Sequence, residues 1–143
     1  MNLMPGLQST ASALDAERLR MNVVAENIAN AFTTRDANGD PYKRKIVSFE
    51  SVLANQNDVQ TGKSAPIYKV QSGVKEDDTP GKIIYNPQHP DADEKGMVKM
   101  PNVESSREMV DLIISSRAYE ANLQVARTSH QMAKQALTIG SRS

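Results

Sequence analysis

The sequence contains no cysteine and no tryptophan. Without thiols there is no disulfide framework, no thiolate metal site and no cysteine nucleophile, and folding does not depend on the redox state of a compartment. Large rings come only from two Phe and four Tyr, although aromatic residues normally fill much of a globular core. The apolar residues are mainly Ala, Val, Leu, Ile and Met, a set suited to seams between helices. A net charge is missing too: 17 Lys and Arg balance 17 Asp and Glu. The longest basic run, Lys43-Arg44-Lys45, is too short for the basic face that nucleic acid favours. No nucleic-acid partner is expected. Apolar runs such as Val23–Ala25 and Leu112–Ile114 fall far short of the ~20 residues of a membrane span, so no direct membrane insertion is expected. Met1 to Gly6 lacks a basic region followed by an apolar stretch, so no cleavable signal peptide is expected either.

What is present sits at the two ends. From Asn102 to Ile139 there is neither Gly nor Pro, which allows one helix of roughly 38 residues, about 57 Å long. Its pattern carries two apolar lines. One runs through Met109, Leu112, Ser116, Tyr119, Leu123, Ala126, His130, Ala133 and Leu137; the other through Val110, Ile114, Ala121, Val125, Met132 and Ile139. A helix apolar on two sides must be covered from two directions. Ser105-Ser-Arg-Glu108 reads as a capping box at its start, with Asn102 an alternative cap one turn earlier. At the other end, Leu7, Leu14, Met21 and Ile28 recur every seventh residue, the spacing of a coiled-coil-like seam over about 7–31.

Between about Phe32 and Pro101 the character changes, and most Pro and Gly collect there. Asp36–Pro41 and Asp77–Gly81 are turn clusters. Strands are expected over 45–50, over 68–75 from the alternation of Tyr68, Val70, Ser72 and Val74, and over 82–85 as a short returning strand. Asn55–Ala65 is polar. The expected fold is therefore α+β: long N- and C-terminal helices forming an antiparallel coiled-coil-like pair, with a small inserted β module. The expected domains are 1–31 plus 102–143 as a discontinuous helical core, and 32–101 as a β-rich outer domain.

Residues that carry chemistry elsewhere find no supporting pattern here. Asp36, Asn38 and Asp40 open like a calcium loop, but its twelfth position is Val47, so an Asx-type turn is expected. Gly62-Lys63-Ser64 is half a phosphate loop, with Asn57 where the first glycine belongs. His89 lies in a turn and His130 on the helix seam, neither with a nucleophile and orienting carboxylate to serve. No catalytic residue, metal site or cofactor is expected. The asparagines are different, because a buried amide on a helix seam can fix register. Asn30 reads as a helix C-terminal cap, while for Asn27 and Asn122 the residues alone leave an ordinary exposed amide and an interface role both open.

The residues also resemble a known family. Gly6-Leu7, Asn22 and Val24-Ala-Glu-Asn27-Ile28-Ala29-Asn30 are similar to the N-terminal motif of flagellar rod and hook proteins, with Glu26 where a second Asn is common; Tyr42-Lys43 resembles the exit that follows. Asn102-Val-Glu-Ser-Ser-Arg-Glu108-Met109-Val110 and Arg117-Ala-Tyr119-Glu120-Ala-Asn122 resemble the C-terminal signature, with Glu104 in place of Asp. The stretch from Tyr85-Asn-Pro87 through His89-Pro90, Asp93 and Gly96 to Pro101-Asn-Val resembles the proximal-rod members, with Met97 in place of Tyr. The resemblance implies a structural subunit exported unfolded and uncleaved through the flagellar export apparatus. Its implied partners are copies of itself, other rod proteins and basal-body ring components, in a helical shaft whose inner tube is built from the terminal helices. The expected assembly residues are Leu7, Leu14, Met21, Asn27, Ile28, Met109, Leu112, Tyr119, Asn122, Leu123, Ala126 and Leu137. A soluble helical adaptor or export chaperone is the alternative on composition alone.

Overall fold

The computed structural model describes residues 5–36, 38–54 and 67–140. In chain order they form α1 (Pro5–Ala29), β1 (Lys45–Ala54), β2 (Ile67–Glu76), β3 (Ile83–Tyr85), β4 (Met97–Lys99) and α2 (Ser105–Gly140). The polar stretch Asn55–Ala65, with its Gly62–Ser64 loop, lies outside the described residues.

Pro5 is the first helical residue of α1, where a missing N–H costs nothing because that donor has no helical partner. The far end is closed by Asn30, as expected. Its Nδ2 donates at 2.9 Å to the Glu26 carbonyl, which also accepts the Asn30 backbone amide at 3.1 Å, and Thr33 Oγ1 donates to its Oδ1 at 3.1 Å, so the side chain braces the last turn and the residues that leave it.

The 36 residues of α2 follow from the absence of breakers, but its start differs from the expected capping box. The Glu108 amide donates to the Glu104 carbonyl at 3.0 Å, which puts Glu104 at the cap position. The Glu108 carboxylate does not return to the helix start; it bonds Asn27 of α1 and Arg44 ahead of β1. Asn102 serves the strands and is not a cap. Asn27 meets Glu108 while Arg20 meets Asp111, so α1 runs backward as α2 runs forward. The two helices are an antiparallel pair, and with the strands they make the expected α+β fold.

The strands form two small sheets, β1 with β2 and β3 with β4. The expected returning strand is corrected here: β3 does not run back along β2 but pairs antiparallel with β4, Ile83 opposite Lys99, Ile84 opposite Val98 and Tyr85 opposite Met97. The loop between them forces this reversal. The Asp93 carboxylate accepts from the Lys95 and Met97 amides at 2.9 and 2.8 Å, and the Asp93 amide donates to the Met97 carbonyl. Gly96 adopts φ of 74°, a left-handed geometry that a side chain would strain. At Gly81 a Cβ would lie 1.9 Å from the Met100 carbonyl oxygen, so only glycine lets the chain pass β4 that closely.

The chain divides into two compact units. Among the described residues, one comprises 5–19, 49–54, 67–72 and 115–140; the other comprises 20–36, 38–48 and 73–114. Each takes part of both helices together with part of the middle segment. In the second unit Val23, Val24, Asn27, Ala31, Tyr42, Val98 and Glu108 are buried; in the first, Ala16 and Ser115 are.

Candidate functional site

The second unit is organised around one amide. Asn27 stands on the last turn of α1 and is only 1% exposed. After the helix, a turn closes with Asp36 N to Asp40 O at 2.7 Å and Gly39 N to Asp36 O at 2.9 Å. The chain then doubles back, and Tyr42 N donates to Thr33 O at 3.1 Å. This return brings Tyr42 and Lys45 to Asn27. Tyr42 OH and the Lys45 amide both donate to Asn27 Oδ1 at 2.9 Å. In return, Asn27 Nδ2 donates to the Lys45 carbonyl at 2.9 Å and to Glu108 Oε2 at 3.0 Å.

An amide has two acceptor sites and two donors, so Asn27 is saturated. It pairs with both backbone groups of Lys45 as a neighbouring strand would, and thereby anchors the start of β1 to α1. Each of these four bonds is made within the chain.

Glu108 brings the charge. Its side chain is buried, and Arg44 Nε donates to Oε1 at 2.6 Å. The same guanidinium lies 3.8 Å from Asp77 and 3.7 Å from Asp111, and Arg20 approaches Asp111 at 3.7 Å. Burying a carboxylate is tolerable only with a close counter-charge and its remaining lone pairs bonded; Arg44 and Asn27 supply both. Burial, with Glu26 and Glu108 nearby, pushes the Tyr42 phenol up to about 12. The phenol therefore remains the donor to Asn27 at neutral pH.

Asn102 ties in the remaining strand. It accepts from the Arg44 amide at 2.7 Å and donates to the Asp77 and Thr79 carbonyls at 2.8 and 3.0 Å. The Thr79 hydroxyl and amide both bond the Asp77 carboxylate and, with Arg44, hold its pKa below the usual range.

The expected assembly residues fall into two groups. Leu7, Leu14, Met21 and Ile28 on α1, and Leu112, Tyr119, Asn122, Leu123 and Ala126 on α2, are half-buried. Met109 and Leu137 are 53% and 67% exposed. Met109 is turned outward, and the inward place beside it is taken by Glu108. The second apolar line stands open: Val110, Ile114, Val125, Met132 and Ile139 are all at least half-exposed.

Tyr42, Asn102 and Glu108 stand out in the sequence only as motif or cap residues and Arg44 only within a short basic run, and their joint role is not visible there. The one cue was their residue types: four polar side chains near the borders of elements, each able to hydrogen-bond another.

Reactive chemistry finds little support. Among the described residues no cluster of His, Asp or Glu is arranged to hold a metal ion. His89 Nδ1 accepts from the Asp91 amide at 3.1 Å within the loop, and His130 is exposed. An open groove of about 400 Å³ lies beside Tyr42, Lys43, Asp78, Pro80, Ile83 and Met100. Among the described residues no helix is long and apolar enough to cross a membrane.

Comparison with known proteins agrees with the motifs. Residues 7–35 match the family described as flagella basal body rod protein, and residues 94–139 match the flagellar basal body rod FlgEFG protein C-terminal family. The flagellar basal-body rod protein FlgC of Bacillus subtilis is 41% identical, covering 94% of this chain and 95% of that protein. FlgC of Salmonella typhimurium is 42% identical over 90% of this chain and 91% of its own length, and FlgC of Borreliella burgdorferi 38% identical over 97% and 98%. These relatives are rod proteins, which does not favour the adaptor reading. The chain belongs to the flagellar basal-body rod protein FlgC family.

Proposed function

We propose that this chain is a structural, non-catalytic subunit of the bacterial flagellar basal-body rod, which joins copies of itself and other rod proteins into the helical shaft that transmits torque. The observation that carries the reading, beyond membership of the family, is the outward apolar line of α2. Covering Val110, Ile114, Val125, Met132 and Ile139 would gain about 1 kcal/mol apiece. Such a line is soluble when scattered, yet long enough to bind a neighbouring helix. A contact between unlike faces of successive subunits propagates as an open helix, whereas like-to-like contact closes.

In this reading residues 1–31 and 102–143 form the inner tube and 32–101 the outer surface, which meets the ring components. The seam residues are Leu7, Leu14, Met21, Ile28, Leu112, Tyr119, Asn122, Leu123 and Ala126, with Met109 and Leu137 facing neighbours. The subunit leaves the cytoplasm unfolded, without a cleaved signal, through the flagellar export apparatus and assembles in the periplasm.

The test is Met132→Asp, placed on a residue 58% exposed. The variant is expected to keep the stability of the parent within about 0.5 kcal/mol, to be exported, and to abolish rod growth and motility. Normal motility of cells carrying only this variant contradicts the role of the line.

A further inference from the structure

We infer that the outward line of α2 docks on α1 of a second copy of this chain, with Arg117 of one copy paired to Glu17 of the next. The inference rests on the rod reading and names the two surfaces and the charge pair that join successive copies. Glu17 and Arg117 both belong to the unit that contains 5–19 and 115–140.

Arg117 stands three residues after Ile114 and four before Ala121, so it shares their helix face, the one that continues through Val125 and Met132. It is the single charge on that face between Val110 and Ile139. Arg117 is exposed, and its guanidinium makes no ion pair or hydrogen bond among the described residues; Arg20, Arg35 and Arg44 all meet carboxylates. It lies two residues from the wholly buried Ser115, about 200° round the helix, and so faces away from its own chain. A surface that covers the apolar line also covers Arg117. A guanidinium taken out of water without a counter-charge is strongly unfavourable, so the covering surface must bring a carboxylate.

Glu17 is a carboxylate in need of a donor. It is half-buried, and its Oε2 is closed to solvent without a hydrogen-bond partner, the one buried side-chain oxygen or nitrogen left so among the described residues. Native proteins pair nearly all such atoms. The terminal carboxyl torsion is soft, so a small turn presents either oxygen at the helix surface. Glu17 stands three residues after the half-buried Leu14 and four before the half-buried Met21, the same offsets that Arg117 has from Ile114 and Ala121. Each strip therefore offers one charge framed by apolar residues, and the charges are opposite. With the helices antiparallel, pairing Arg117 to Glu17 brings Ala121 opposite Leu14 and Ile114 opposite Met21. The faces are unlike, so the contact repeats from copy to copy as an open helix.

Charge exchange in motile cells tests the pair. Arg117→Glu and Glu17→Arg are each expected to cut completed basal bodies at least about tenfold by setting like charges together, and the double exchange to restore most of them. Arg117 is exposed, so the denaturation midpoint of the Arg117→Glu monomer is expected to match the parent, which separates failed docking from failed folding. Chemical coupling reads the contact with the charges kept. In Arg117→Lys, a water-soluble carbodiimide activates the Glu17 carboxyl as an O-acylisourea, and the amine at position 117 displaces the urea to leave an amide. Isolated basal bodies are expected to yield a peptide linking positions 17 and 117 and a ladder of joined chains on a denaturing gel; adding Glu17→Gln removes both. Parental motility of Arg117→Glu, a double variant that folds yet assembles no better than the singles, or equal linkage in the purified monomer would overturn the inference. Absence of the parent chain from basal bodies defeats the rod reading itself, whereas its presence there without the 17–117 link in the coupled variant defeats only the pairing.

Discussion

Replacing Asn27 by Asp changes one nitrogen to oxygen and almost nothing else in shape, so its effect isolates the electrostatics of the junction. Nδ2 donates to Glu108 Oε2 at 3.0 Å and to the Lys45 carbonyl at 2.9 Å; in Asn27→Asp both contacts become oxygen against oxygen. Two full charges 3 Å apart repel by about 5 kcal/mol at an effective dielectric near 20. The pair can escape by holding one proton between them. With intrinsic carboxyl values near 4, that proton costs about 4 kcal/mol at pH 7, so protonation caps the repulsion. Losing the bond to the Lys45 carbonyl adds about 1 kcal/mol or more.

The expected loss is thus about 4–6 kcal/mol at pH 7.5, comparable with the whole stability of a small domain. The pH dependence has a definite sign. The shared proton means that the folded variant binds more protons than the unfolded chain, so its deficit shrinks as pH falls toward the unfolded carboxyl values. At pH 4.5 the deficit is expected to be only about 1–2 kcal/mol. Urea denaturation of parent and variant, followed by circular dichroism at both pH values, measures the two differences. A variant as stable as the parent at pH 7.5, or a deficit that does not change with pH, would refute the assignment of Asn27 to a buried site facing an ionised Glu108.

Three further outcomes follow from the same contacts. Arg44→Met leaves Glu108 buried without a counter-charge and is expected to cost about 3–5 kcal/mol by the same denaturation assay, while Arg44→Met combined with Glu108→Leu recovers most of it. The Tyr42 phenol keeps its proton up to about 12, against an ordinary value of 10.0. The unfolded state ionises first, so the parent is expected to lose up to about 2.7 kcal/mol between pH 10 and 12. Tyr42→Phe sacrifices about 1 kcal/mol at neutral pH and is expected to lack that alkaline step. Gly81→Ala puts a methyl group where the Met100 carbonyl oxygen stands. It is expected to cost roughly 2 kcal/mol or more and to raise amide exchange at residues 97–100.

The helices were legible because periodicity and the absence of breakers act locally: heptad spacing from Leu7 to Ile28 and the Gly- and Pro-free stretch after Pro101 need no knowledge of neighbours. The strand pairing was not. Met97–Lys99 holds three residues between Gly96 and Pro101, too few to show alternation, so β3 had no visible partner. The capping-box pattern at Ser105 was misleading for a related reason. A Glu three residues into a helix can turn back to cap it or reach across to another element, and the choice depends on Asn27 and Arg44, some eighty and sixty residues earlier. Met109 is the mirror case: it is exposed, and the inward position beside it goes to a carboxylate whose burial the junction makes tolerable. Asn30 behaved as expected because a C-terminal cap is settled within one turn. Interactions closed within a few residues could be read in advance; those closed across the chain could not.

The account turns on the outward apolar line of α2 being covered by neighbouring subunits in the assembled rod, and a chain without cysteine permits a direct measurement. Met132→Cys places a single thiol on that line, and its maleimide labelling can be compared between the purified monomer and isolated basal bodies. Rapid labelling of the monomer and strong protection in basal bodies is the expected result. Equal labelling in both, or no copy of the chain in the basal bodies, contradicts it.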